Sequence, residues 1–254
     1  MIVDVDPGWV LSVFFTALRV GVLLMMSPMF TGLSGLVTLR VLLTLVLSAV
    51  LVAGLEPARP AVMPELGLIL VAAAGEVAVG AVLAFGVFAA FGAFSVAGKV
   101  LDIQSGFGMG AVYDPVTNAG AAVFSTMLSM AAVVVFFALD AHHAFLRGIA
   151  FSLEQVAPGA GLRELDMEAV LRQFGLMFSL GVALIMPVML CLLLVEVGLA
   201  VISRVLPQMN VFFVLVPIKL VTSLCIFAIT VTVLAPPMAQ VYAAIFDYWE
   251  QVLD

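Results

Sequence analysis

The chain has very little charge. Asp, Glu, Lys and Arg make up 10% of its 254 residues, against 65% apolar, whereas soluble domains carry about a quarter charged residues. So few charges cannot cover the core of a water-soluble globule of this length, and composition places the chain in the membrane class. Basic residues are scarcer still: nine Lys and Arg, spread singly, in a chain of net charge −7. That excludes a basic face for nucleic acid. The two cysteines, Cys191 and Cys225, lie inside apolar runs, where a thiol usually behaves as a small hydrophobe. The opening MIVDVDPGWV is acidic where a cleavable signal peptide needs a basic n-region, so the first apolar run is expected to be retained.

Strand-like alternation is also missing. Apolar segments run over roughly 8–30, 36–55, 66–97, 120–139, 142–157, 171–203 and 211–246. Each is too long for an ordinary strand and reads as helix. A membrane barrel would need alternating segments of about 10 residues. The fold class is therefore all-α, a polytopic hydrophobic protein of long kinked helices and helical hairpins. The segment 66–97 would be about 48 Å long as a helix, more than the roughly 30 Å of a bilayer core. It must tilt, bend or leave the lipid, and 211–246 poses the same problem with Pro217 and Lys219 inside it.

Punctuation is clear. Ser27-Pro28 kinks or ends the first helix. EPARPAVMPE (56–65) is a proline-rich turn, and APGAGLRELDMEA (157–169) is the most polar connection, with Asp166 placed to cap a helix starting near Glu168. APPMA (235–239) interrupts the last run, and the closing FDYWEQVLD is amphipathic and expected to be interfacial or solvated. Gly75, Gly80, Gly86, Gly92 and Gly98 recur along one segment and permit close helix approach, within the chain or to neighbouring subunits.

Charges within apolar runs must pair or face water. Arg19, Glu76, Arg147 and Glu196 are expected to be buried, in ion pairs between helices, with Asp102, Arg204 and Lys219 in or beside other runs. Repeated acids that would mark an ion pathway are missing. In LDAHHAF (139–145) the adjacent His142 and His143 should diverge by about 100° on a helix. Asp140 and His143 then offer two ligands, too few for a metal site. Nucleophile elbow, P-loop, HExxH and dinucleotide fingerprints are all missing. Neither catalysis nor a cofactor or metal is expected.

One stretch stands apart. QSGFGMGAVYDPVTNAG (104–120) places glycines at 106, 108 and 110, soft bulk at Phe107, Met109, Val112 and Tyr113, and a turn start at Asp114-Pro115. Irregular backbone at membrane depth persists only where protein buries it or where it lines an aqueous cavity. Bulk on a pliable backbone suits a displaceable seal; a plain surface loop is the other reading.

Three segments resemble one family. GKVLDIQSGFGMGAVYDP (98–115), FFALDAHHAFLRGIAFSLEQVAPG (136–159) and ISRVLPQMNVFFVLVPIKL (202–220) are similar, in order and spacing, to the FliR/SctT family of type III export gates. The third carries the most specific pattern, on Arg204, Pro207, Gln208, Asn210, Phe212, Pro217 and Lys219. The resemblance implies a single gate subunit spanning 1–254, FliP-like over about 1–170 and a FliQ-like hairpin over about 171–254. It implies assembly with five FliP-like and four FliQ-like subunits, much of it lifted out of the bilayer plane. FlhB-like and FlhA-like export proteins, unfolded export substrates and membrane lipid would be further partners. It also implies the bacterial inner membrane, a flagellar basal body more than a virulence system, and a pore plug formed by the central loop. A small-solute or ion-coupled transporter is the more remote alternative.

Overall fold

Helix α2 (Val37–Leu55) is built inside out, and helix α1 (Pro7–Met26), which also buries Phe15, Val20, Leu23 and Leu24, is so in part. In α2 the buried stripe is Thr44, Ser48 and Val52, while Leu42, Val46 and Val50 face outward. In α1 the buried face includes Ser12, Thr16 and Arg19, and Val10, Phe14, Met25 and Met26 are exposed. Three of the inward hydroxyls are satisfied within their own helices, Ser48 Oγ donating to the Thr44 carbonyl at 2.7 Å, Thr44 Oγ1 to that of Arg40 at 2.8 Å and Ser12 Oγ to that of Gly8 at 3.0 Å. Exposing leucine and burying serine is costly in water and costs little when the surroundings are hydrocarbon.

In this computed structural model the structure describes residues 6–29, 37–55, 65–107, 122–160, 166–205 and 211–253, without the side chains of 211–213. The remaining helices are α3 (Leu66–Ser105), α4 (Val123–Ala138), α5 (Ala141–Gln155), α6 (Met167–Val205), α7 (Val211–Thr230) and α8 (Ala235–Leu253), with a short 3₁₀ turn at Val231–Val233. No strand occurs among the described residues, and the protein is an all-α, polytopic membrane protein. Among the described residues five helices (α1, α2, α3, α6 and the run Val214–Val233) are long and apolar enough to cross a membrane.

The sequence marks most helix ends correctly. Helix α1 stops at Met26, ahead of Ser27-Pro28, and its start is capped by Asp6, whose carboxylate accepts from Gly8 N at 2.9 Å, with Pro7 at the first helical position. Asp166 caps α6 by accepting from Glu168 N at 2.8 Å. Lengths differ from expectation. Helix α3 holds 40 residues rather than ending near 97, about 60 Å at 1.5 Å per residue. Helix α6 holds 39 and runs through Pro187. The run 211–246 is two helices, divided at the 3₁₀ turn, with Pro236 and Pro237 in the first turn of α8, where a missing N–H costs least.

The chain forms two compact units. Unit 1 comprises Met1–Ala89, Asp140–Phe174 and Ala243–Asp254. At its centre Arg19, 0% exposed, meets Glu76, 2% exposed. Arg19 Nε and Nη2 donate to Glu76 Oε2 and Oε1 at 2.7 and 3.1 Å, and Nη1 and Nη2 donate to the carbonyls of Ser152 and Val156 at 2.6 and 2.9 Å. Gly159 N donates to Glu76 Oε1 at 2.8 Å. One ion pair thus ties α1, α3, α5 and the turn after α5, and each charged atom finds partners as burial demands.

The end of α8 closes unit 1 and corrects the expectation that FDYWEQVLD is interfacial or solvated. Trp249 is 1% exposed. Its indole N–H donates to the Leu83 carbonyl at 3.0 Å, and Tyr248 O–H donates to the Val82 carbonyl at 3.0 Å. Burial pushes the Tyr248 phenol well above its ordinary range. Gly148 makes room for the indole: a Cβ there would lie 2.3 Å from a Trp249 ring carbon. The acids Asp247 and Glu250 stay exposed, so the segment is amphipathic as expected, with its apolar face turned into protein. Arg147 is also corrected. It is exposed, because α5 turns Phe145, Ile149, Ser152 and Leu153 inward and position 147 falls off that stripe.

Unit 2 comprises Ala90–Leu139 and Gly175–Tyr242. Its core is aromatic. The Tyr242 ring lies 5.8 Å from Phe94 and 5.4 Å from Phe136, and Phe91 lies 5.9 Å from Phe136. Tyr242 O–H donates to the Ala132 carbonyl, giving the buried phenol the partner it needs. Of the recurring glycines, Gly80 packs on the Arg19 backbone, Gly86 on Tyr248 and Trp249, and Gly98 on Ser125, whereas a Cβ on Gly92 would meet nothing within 4 Å among the described residues. The first three serve packing within the chain.

Candidate functional site

The glycine-rich stretch 104–120 leaves the C-terminal end of α3 and returns at the start of α4, both in unit 2. The structure describes its first four residues, Gln104 to Phe107. Gly108, Met109, Gly110, Val112, Tyr113, Asp114 and Pro115 lie outside the described residues, as do Pro207, Gln208 and Asn210 of the third motif and the side chain of Phe212. The base of the loop can be built in full.

Helix α3 ends because Gly106 enters the left-handed region, φ 94°, with its N–H donating to the Ile103 carbonyl at 3.3 Å. Among the described residues a Cβ at Gly106 would meet only Val216, at 3.7 Å, and the positive φ by itself favours glycine here. On the other side of the loop, α4 begins against α3. Gly98 is the contact point: a Cβ there would lie 2.3 Å from Ser125 Cα and 2.6 Å from Ser125 N. Only a bare backbone lets the two helices approach this closely.

Asp102 then locks the junction. It is 4% exposed. Its Oδ1 accepts from Phe124 N at 2.8 Å and its Oδ2 from Ser125 N at 3.0 Å. The residue directly before α4, Ala122, has no side chain able to cap, and the four first N–H groups of a helix lack partners of their own. A carboxylate from the preceding helix supplies two of them and sits at the positive end of the α4 dipole. Sequence reading flagged Asp102 as a charge beside an apolar run, but a cap delivered from 22 residues away leaves no local signature. We expect Asp102→Ala to cost about 1–2 kcal/mol, by analogy with lost N-caps, with Asp102→Asn retaining about half. Amide hydrogen exchange over 123–127 should rise selectively, and unchanged protection there would contradict the clamp.

Aromatic rings seal the same base. Phe107 stands 5.7 Å from Phe124, edge to face, and Phe124 stands 5.1 Å from Phe227 of α7. Phe124 is 0% exposed. Such ring pairs add about 0.5–1.5 kcal/mol beyond the area they bury.

A polar contact joins the loop start to the third motif. Gln104 Nε2 donates to Glu196 Oε1 at 3.4 Å, and Lys219 Nζ donates to the same oxygen. Glu196 and Lys219 keep side-chain exposures of 35% and 13%. The ion pair expected of Glu196 is therefore present, with the motif lysine as its partner, but the carboxylate is half-buried and not buried as expected, which this polar company allows. Pro217, one turn-half before Lys219, and Arg204 are exposed. Arg19 and Glu76 pair with each other, in unit 1, and take no part in this site.

Among the described residues the arrangement shows no constellation of nucleophile and base. It can anchor a loop: both of its stems are fixed, by Gly106, Gly98, Asp102 and the three rings, and its first polar side chain is tied to a charge pair.

The family model for bacterial export proteins, family 1, matches residues 10–245. The chain is similar to the flagellar biosynthetic protein FliR of Bacillus subtilis, 26% identical over 162 residues, which cover 62% of each chain. It is 24% identical to FliR of Pectobacterium carotovorum over 251 residues, 97% of this chain and 94% of that one. The secretion system apparatus protein SsaT of Salmonella typhimurium is 24% identical over 147 residues, 57% of each. The matches to the Bacillus and Aquifex FliR proteins each span 62% of those proteins' own length.

Proposed function

The chain belongs to the bacterial export proteins, family 1, and from that premise we propose that it is a structural subunit of a type III protein export gate in the bacterial inner membrane. Its role is to help form a pore for unfolded substrates, with no catalytic step of its own. The loop 104–120 is the plug of that pore, with Phe107, Met109, Val112 and Tyr113 as its bulk. The observation that carries this reading is the clamped loop base: Asp102, Gly98 and the Phe107–Phe124–Phe227 stack hold both stems, as a seal that must return to one place requires.

One copy joins five FliP-like and four FliQ-like subunits, with FlhB-like and FlhA-like proteins at the entrance. Exposed apolar side chains along α2, α6 and α7 offer surface for lipid and for such neighbours, and α3, about 60 Å long, suits an assembly that rises out of the bilayer. Arg204, Pro207, Gln208, Asn210 and Phe212 make subunit contacts. Residues up to about 170 are FliP-like and those from about 171 form a FliQ-like hairpin of α6 and α7; each compact unit draws on both sides of that division. The flagellar system is favoured over a virulence system, since a flagellar relative aligns over 97% of this chain against 57% for SsaT.

The plug is tested by deleting 106–120 in cells that assemble the whole gate. Ion leak through the gate, read as lost membrane potential, should rise strongly over the intact protein; unchanged conductance rejects the seal. Removing the chain altogether should abolish export of flagellar substrates, and normal secretion would reject the export role. Saturable solute uptake by the chain alone in liposomes would favour a transporter instead.

A further inference from the structure

We infer that the turn between α4 and α5 is a binding site for a divalent transition metal of the zinc class, with Asp140 Oδ1, His142 Nε2 and His143 Nδ1 as ligands. The sequence holds two histidines in all, and adjacent positions on a helix diverge by about 100°, so the pattern alone supplies two ligands at most. The structure gathers three. Asp140 adopts the left-handed conformation, φ 53°, immediately before α5. Its main-chain carbonyl accepts from His143 N at 2.9 Å, while its side chain caps nothing in the helix. The carboxylate is thereby turned across the first turn of α5, toward the imidazoles.

Asp140 Oδ1 stands 3.9 Å from His142 Nε2 and 3.6 Å from His143 Nδ1, and the two rings lie 4.1 Å apart between centroids. All three ligand atoms fall within 4.8 Å of one another. Both N···O separations exceed a hydrogen bond. In a tetrahedral zinc site with bonds of about 2.0–2.1 Å the ligand atoms stand about 3.3 Å apart. Closing on an ion therefore needs shifts of a few tenths of an ångström between Asp140 and each imidazole, and at most about 1.5 Å between the two imidazole nitrogens, in side chains whose exposures run from 35% to 74%. Two imidazoles and one carboxylate suit zinc, cobalt, nickel or copper(II); magnesium and calcium prefer all-oxygen sets. The exposed face leaves the fourth position to water and lets the ion load from solution.

The test uses the full chain, purified in detergent micelles without a polyhistidine tag and stripped with a chelator. Cobalt(II) is titrated in and followed by its visible ligand-field absorption, and zinc is then added to displace it. One cobalt per chain is expected, with the intense bands of tetrahedral coordination, displaced by one zinc. His142→Ala, His143→Ala and Asp140→Asn should each weaken binding by at least about 10-fold, since even outer partners of a metal site cost that much when lost. His143→Ala, at a side chain 63% exposed, should leave the thermal unfolding of the metal-free protein unchanged, which separates ligand loss from misfolding. Absorption that never saturates, or that is equal in the double variant His142→Ala/His143→Ala, overturns the site.

Discussion

Glu76→Ala is expected to cost about 3–5 kcal/mol, the cost of removing one partner from a buried ion pair. The variant would strand Arg19, 0% exposed, with its carbonyl partners but no counter-charge. Both charges sit on helices long and apolar enough to span a membrane, where an unpaired cation is least tolerable. Gly159 N would also lose its acceptor. The readout is the thermal unfolding midpoint of the detergent-solubilised chain, with accumulation in membranes as a second measure. Glu76→Gln keeps the shape and an acceptor for Gly159, and should fall between the two. The double change Arg19→Leu/Glu76→Leu should recover most of the loss, because neutral side chains of similar volume leave no charge stranded. If Glu76→Ala unfolds within about 1 kcal/mol of the parent, the pair is not the hub of unit 1.

The second large effect concerns one missing methyl group. Gly98→Ala is expected to cost about 2–3 kcal/mol, the upper part of the range for forced overpacking. The new Cβ would lie 2.3 Å from Ser125 Cα, and backbone cannot swing away as a side chain end can. The start of α4 would have to retreat by roughly 1–2 Å to reach ordinary contact. That retreat stretches the bonds from Asp102 to Phe124 N and Ser125 N, now 2.8 and 3.0 Å. The control is Gly92→Ala, on the same helix, where nothing among the described residues lies within 4 Å; alanine's better helix propensity should make it neutral or slightly stabilising. Because both act on one junction, Gly98→Ala combined with Asp102→Ala should cost less than the sum of the two. Equal effects at positions 92 and 98 would refute the close approach.

Much of the fold was legible because its signals are local. Ser27-Pro28, Asp166 and Pro236-Pro237 act on their own neighbours, and each sits at the helix end it marks. The composition that excluded a soluble globule reappears as the inverted face of α2 and, in part, of α1. That charges in apolar runs would pair follows from the cost of lone charges in apolar surroundings; which ones pair, Arg19 with Glu76 and Glu196 with Lys219, does not, since the partners stand 57 and 23 residues apart. What escaped the sequence depends on distant residues. Asp102 caps a helix across the loop, and Trp249 finds its acceptor 166 residues away, so neither leaves a spacing to recognise. Arg147 looks like its buried neighbours in one dimension and lies outside because of a helical phase that tertiary packing fixes. Helix α6 continues through Pro187, against propensity, because packing of a long apolar face outweighs one lost hydrogen bond.

The closure of unit 1 by Trp249 bears on how the molecule is made. The unit is drawn from three stretches, Met1–Ala89, Asp140–Phe174 and Ala243–Asp254, and the indole touches all of them at once, lying beside Gly148 and donating to Leu83. Contacts between stretches so far apart in the chain carry the loop-closure cost before they give any return. Folding of this unit is therefore a late, cooperative event that depends on the three stretches meeting, and a helix pair taken alone from any one of them lacks the groove in which the indole sits.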